Sequence, residues 1–270
     1  MPHNQTVLGS LLKGKNLDIF LKRNRVAFSG VSGKNSKKGV ISKFELSPLK
    51  PQNKTQNTLV CDRDIIKILE TSYKTLTYCN LISCMFITSA TFKTLANAKN
   101  LQWLCLSNNQ NLLDSCAVDI VTNCTGLLHL NFSKCTKLTE VTMDAIVDNL
   151  PLLESLDVSY DSNLIVNFRN PAYLRNLKKL QELDISYCGI SDSKLLTIIK
   201  HLPWLETLTV EGCSKLTFEG INEILVNQET SLKKVVIYKT AMERDSQAKL
   251  KKLEKAIGDK VQLIYHHEHE

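Results

Sequence analysis

Three sets of residues in this 270-residue chain have side chains suited to chemistry. Cys105, His129 and Asp157 supply a thiol, an imidazole and a carboxylate. A thiol nucleophile needs a base within about 3 Å and a sheltered cleft. Residues spread over an open sheet face have no oxyanion site, so no catalytic role is expected. His266, His267 and His269 lie in a terminal HHEHE tail, where a metal ion is held only loosely; no metal or cofactor is expected. SGVSGKNS, Ser29 to Ser36, has glycines three apart and Asn35 where a phosphate loop needs Ser or Thr. It reads as a Gly/Ser/Lys linker. The nine cysteines are an odd number and do not cluster, which implies reduced thiols.

The cysteines recur with a period. LETLTVEGC runs from Leu205 to Cys213, LQELDISYC from Leu180 to Cys188, and LLHLNFSKC from Leu127 to Cys135. LQWLCLSNN (Leu101 to Asn109), LESLDVSYD (Leu153 to Asp161), LTYCNLISC (Leu76 to Cys84) and LKKVVIYKT (Leu232 to Thr240) share the frame. The starts are separated by 25, 26, 26, 27, 25 and 27 residues. Such tandem spacing defines an α/β solenoid of leucine-rich repeats: a horseshoe with a parallel concave sheet and convex helices. About seven repeats from 76 to 240, with terminal caps, make up a domain over 59–270.

The second half of each repeat reads as a turn and a helix. EVTMDAIVDNL and DSKLLTIIKHL have helical apolar spacing. Thr139, Ser191 and Thr217 precede such segments and are expected N-caps. LVCDRDIIKILET, residues 59–71, reads as the helix of an incomplete first repeat, capped by Asp62 or Asp64. A last helix ending near Gly258 and a strand VQLIY are expected to cover the core of the final repeat.

A residue ending each strand turns inward, where turn carbonyls and amides need small partners. That column is Cys84, Asn109, Cys135, Asp161, Cys188, Cys213 and Thr240. All are small, and all offer at least a weak hydrogen bond, so a structural role is expected. Cys124 fits a second small-residue position before the next strand.

Charge is unevenly spread. Residues 1–58 hold eleven Lys/Arg and two acids, net +9, while 59–270 hold twenty-three and twenty-five, net −2. The first segment is expected to be a flexible basic leader. Nucleic-acid binding by the repeat domain has no electrostatic support in these totals. No apolar run is long enough to span a membrane. The N-terminus lacks the charged start and continuous apolar core of a secretory signal.

The period near twenty-six, with Cys at the strand end, Ile/Leu-Thr/Ser after it and then a helix, resembles the cysteine-containing leucine-rich repeats of F-box ubiquitin-ligase receptors. The resemblance covers about residues 59–270 and implies a substrate-holding adaptor in the cytoplasm or nucleus. In that family an F-box precedes the repeats. Here NLDIFLKRNRVAF, Asn16 to Phe28, shares only Ile19, Phe20 and Leu21 with it. A second resemblance, to mitochondrial ATP synthase subunit s-like proteins and a complex I assembly factor, implies a transit peptide and an assembly role.

The concave face consists of residues alternating with the core leucines. Tyr78, Trp103 and His129 form an aromatic end. Asp157, Glu182 and Asp184, with Glu154 and Glu206 near the rim, form an acidic middle; Tyr160, Tyr187 and Glu211 are further expected partner contacts. Lys233, Lys234 and Lys239 form a basic end, and Tyr238 is a further expected partner contact there. Aromatic anchors flanked by charge suit a protein partner, and the acids favour a basic segment.

Overall fold

A computed structural model describes residues 26–29, 41–46, 62–84, 87–227, 230–240 and 247–265. The chain divides into two compact units, Met1–Lys137 and Leu138–Glu270. Each is a stack of strand–turn–helix repeats, so the fold is a leucine-rich-repeat solenoid.

The first unit contains β1 (Val26–Ser29), β2 (Lys43–Leu46), α1 (Asp62–Ser72), β3 (Tyr78–Asn80), α2 (Ser89–Leu95), β4 (Trp103–Cys105), α3 (Asp114–Asn123) and β5 (His129–Asn131). β1 pairs antiparallel with β2. From β2 to β5 the strands run parallel in chain order. β1 and β2 both lie within the segment expected to be a leader. The strand at 43–46 has no leucine frame. It joins the sheet because Phe44 is fully buried opposite Cys79, while Lys43 and Glu45 alternate to the other face.

The second unit contains α4 (Glu140–Asn149), β6 (Ser155–Asp157), α5 (Ser162–Ile165), a 3-10 helix Pro171–Asn176, β7 (Glu182–Asp184), α6 (Asp192–His201), β8 (Thr207–Thr209), α7 (Phe218–Asn222), β9 (Lys234–Val236), α8 (Gln247–Ile257) and β10 (Gln262–Ile264). β6 to β10 are parallel and neighbours in chain order. The expected last strand thus adds to β9 as β10, and Leu250, Leu253 and Ile257 of α8, the expected last helix, are buried.

The frame leucines explain the strands. Leu101, Leu104 and Leu106 are fully buried, as are Leu127 and Phe132, with Leu130 at 2% exposure. β3, β5, β6, β8 and β9 each bury their middle side chain and turn the two flanking ones to the opposite face. Each fully buried leucine contributes roughly 2 kcal/mol. Helices bury the complementary stripe: Met143, Ile146 and Val147 in α4, and Leu195, Ile198 and Ile199 in α6. The repeat beginning at Leu153 lacks a long helix. Pro171 opens its 3-10 segment at the first helical position.

Capping differs from expectation at two points. Thr139 Oγ1 accepts from the Val141 N–H at 3.3 Å, and Thr217 Oγ1 from the Gly220 N–H at 3.2 Å. The Ser191 side chain makes no cap bond. Asp62 opens α1, but its carboxylate serves α2: it accepts from the Thr88 N–H at 2.6 Å, the Thr91 hydroxyl at 2.9 Å and the Thr88 hydroxyl. Asp192 does the same for α7, accepting from the Thr217 N–H at 2.9 Å and its hydroxyl at 2.6 Å. An acid in the first turn of one helix therefore holds the cap residue of the next.

Candidate functional site

The inward-turning column has a shared geometry. Cys135, Cys188 and Cys213 donate their thiols to Leu106 O, Val158 O and Ile185 O, one repeat earlier, at 3.1, 3.5 and 3.3 Å. Asn109 donates to Leu81 O at 2.8 Å and Leu106 O at 2.7 Å, leaving Oδ1 buried without a partner. Thr240 bonds Ile237 O within its own turn, Cys84 is half-buried, and Asp161 is 2% exposed. Cys124 donates to Ala98 O at 3.4 Å. Burial pushes Cys84, Cys124 and Cys188 up to about 12 and Cys213 to about 11, and also raises Cys79 well above the usual thiol range. Thiols held so far above neutral pH are poor nucleophiles.

The residue just before this column is left-handed in every repeat. Ser83, Asn108, Lys134, Tyr160, Tyr187 and Lys239 have φ between 54° and 63°, and Gly212 has φ 64°. This conformation reverses the chain after each strand and carries those side chains along one rim.

On the first unit's exposed face, Tyr78 and Trp103 stack at 4.2 Å and 10°, and Lys43 lies 4.1 Å from the Tyr78 ring centre. Lys43 also pairs with Glu45 at 3.6 Å, and Asn80 reaches Glu45 at 3.4 Å. His129 stands opposite Trp103 in the strand register, whereas Cys105 stands opposite Asn131. The thiol and imidazole thus occupy different rows. Among the described residues, no group of three His, Cys, Asp or Glu side chains is placed to hold a metal; His266, His267 and His269 lie outside them. No helix among them is long and apolar enough to cross a membrane.

On the second unit's face, Asp157 and Asp184 stand opposite each other in the β6–β7 register. Each Oδ1 accepts an N–H two residues on, from Ser159 and Ser186, at 2.9 Å. Burial raises the Asp184 carboxyl above the usual range. Hydrogen bonds from Ser186 oppose the shift, and Asp157 and Glu211 add to it. Glu182 is exposed, and Lys234 lies opposite Thr207. Tyr160 and Tyr187 stack at 4.3 Å and 11°. Tyr187 Oη donates to Glu211 at 2.8 Å, and that bond pushes the phenol up to about 12. Lys239 pairs with Glu211 at 3.3 Å and lies 4.8 Å from the Tyr238 ring centre. Lys233 pairs with Glu206 at 2.7 Å. Two lysines of the expected basic end, Lys233 and Lys239, are therefore tied to acids of the neighbouring repeat.

Sequence reasoning does not find Lys43, Glu45 or Gly212. A Cβ at Gly212 would fall on Tyr187 Cε1, so the glycine leaves room for the ring. Aligning the repeats places Gly212 directly after Tyr187 in the left-handed column, a signal that was there to be read. Charge also divides between units: Met1–Lys137 holds eighteen Lys/Arg and seven acids, net +11, and Leu138–Glu270 sixteen and twenty, net −4.

No protein-family model matches the chain. It is 24% identical over 128 residues to EEED8.10 of Caenorhabditis elegans, a protein provisionally named as RNA-binding; the match covers 46% of this chain and 17% of that protein. Among solved structures it is similar to yeast Rad7 in its complex with Elc1 (TM-score 0.53, 19% identity, 64% of this chain and 44% of that one). It is also similar to the leucine-rich-repeat protein LegL7 of Legionella pneumophila (TM-score 0.50, 16% identity, 75% and 68%). The chain thus spans about a sixth of the C. elegans protein and under half of the Rad7 chain. These likenesses show the repeat fold.

Proposed function

We propose that this chain is a non-catalytic recognition module whose exposed sheet face holds a protein partner. One observation carries the reading: Lys43, Tyr78 and Trp103 form a continuous stack on that face, with each ring half-buried. Aromatic anchors pre-ordered in this way lose little entropy on binding and dominate protein interfaces. The solved complex of Rad7 with Elc1 is a precedent for a repeat protein of this fold with a protein partner.

Within this reading the chain acts as a substrate-holding adaptor related to ubiquitin-ligase receptors. The +9 charge of residues 1–58 favours a second reading, an assembly factor imported into mitochondria. The test is to express the tagged full chain in its native cells beside a Trp103→Ala variant. Location, mature N-terminus and co-purifying proteins are then measured by mass spectrometry. The variant should fold normally and bind its partner about thirtyfold more weakly. Ligase subunits with an intact N-terminus support the adaptor; a cleaved leader with inner-membrane complexes supports the assembly factor. Recovery of RNA without a Trp103-dependent protein would overturn both.

A further inference from the structure

The exposed face of β6–β8 carries charge where the fold needs only an acceptor. In the first unit, Asn80 and Asn131 fill the third strand position, and each Oδ1 accepts the N–H two residues on, at 3.1 and 2.9 Å. Asp157 and Asp184 make the same bond in the second unit. A neutral amide satisfies this turn, so both negative charges are surplus to it. They stand in register on neighbouring strands, with exposed Glu182 on the same face. Of the nearby lysines, Lys233 pairs with Glu206, Lys239 pairs with Glu211 and reaches the Tyr187 hydroxyl at 3.4 Å, and Lys234 stands two strands from Glu182 in the same row.

A second, independent feature lies on the rim, three residues after each acid. Tyr160 and Tyr187 stack along the rim, and Tyr187 is fixed by Glu211 and seated against Gly212. Tyr160 remains 41% exposed. A fixed aromatic wall beside a carboxylate pair matches a planar cation. A guanidinium bonds carboxylates through two parallel N–H groups and lies flat on a ring; an ammonium does neither as well.

The geometry points to a peptide segment bearing arginine as the occupant of the β6–β8 face. This rests on the recognition reading above and narrows it to one chemistry. The surplus negative charge steers the cation in, and the tyrosine wall selects arginine over lysine.

The test uses the full chain and an array of short peptides varied in arginine, lysine and acidic content. Bound peptides should be enriched in arginine over lysine and depleted in acids. Affinity for the best of them, read by fluorescence anisotropy, should fall at least about tenfold in the Asp157→Asn/Asp184→Asn double variant and should weaken with added salt. Asparagine keeps the Oδ1 acceptor, so the double variant should stay folded, which a melting curve checks. Tyr160→Ala should also weaken binding. Asp144→Asn/Asp148→Asn, which removes the same charge from α4, should not. Binding without arginine preference, no peptide binding, or an indifferent Asp157/Asp184 double variant would overturn the inference, as would preference for a single-stranded RNA oligonucleotide. Cellular partner capture that depends on Trp103 but ignores Asp157 and Asp184 would remove this inference and leave the recognition reading standing.

Discussion

Asp184 is a residue whose charge works against its own fold. Burial raises its carboxyl, and Asp157 and Glu211 add to the shift against the bonds from Ser186. A raised carboxyl keeps its proton to higher pH in the folded chain than in the unfolded one. Its stabilising contribution is therefore fully present below the unfolded pKa of about 3.9 and is lost as pH rises through the folded value. Asp184→Asn is expected to raise the melting temperature at neutral pH and to change little in acid. Melts at the two pH values check this; a difference independent of pH would remove the charge explanation. At this scale much was legible in the sequence. Leucine spacing assigns the residues of β3 to β9 to a face, and the cysteine column follows from the same frame. The pairing of Lys239 with Glu211 and of Lys233 with Glu206 was not legible, because it depends on side-chain reach between repeats.

Among the elements, the helices depend on their predecessors. Asp192 spans 25 residues to hold both the N–H and the hydroxyl of Thr217, and Gly220 has no side chain where that carboxylate sits. Asp192→Ala should cost about 1 kcal/mol in urea denaturation, and hydrogen exchange should speed at the start of α7. An unchanged α7 with a loosened α6 would mean that Asp192 serves its own helix instead. Helices such as Glu140–Asn149 and Asp192–His201 were readable from their apolar period. The partnership of Asp192 with Thr217 was not, since no local pattern links residues so far apart. Lys43–Leu46 was equally hidden: four residues with one buried phenylalanine carry no repeat signature.

For the molecule as a whole, the repeat class was written in the period, while charge totals over 1–58 and 59–270 masked the division between the compact units. Met1–Lys137 is strongly basic and Leu138–Glu270 is acidic, although each uses the same repeat. Recognition chemistry can therefore differ between units without any change of fold. The ladders from β6 to β10 have a further, mechanical consequence. Their hydrogen bonds run from one repeat to the next, so a pull along the stack opens each ladder separately and does not shear all of them together. Optical-tweezer stretching of the second unit should release one repeat at a time at low force, each adding about 90 Å of chain. A single abrupt rupture would contradict this. A module built this way yields under load like a coil spring, lengthening in small reversible steps while the remaining repeats keep their grip on whatever they hold.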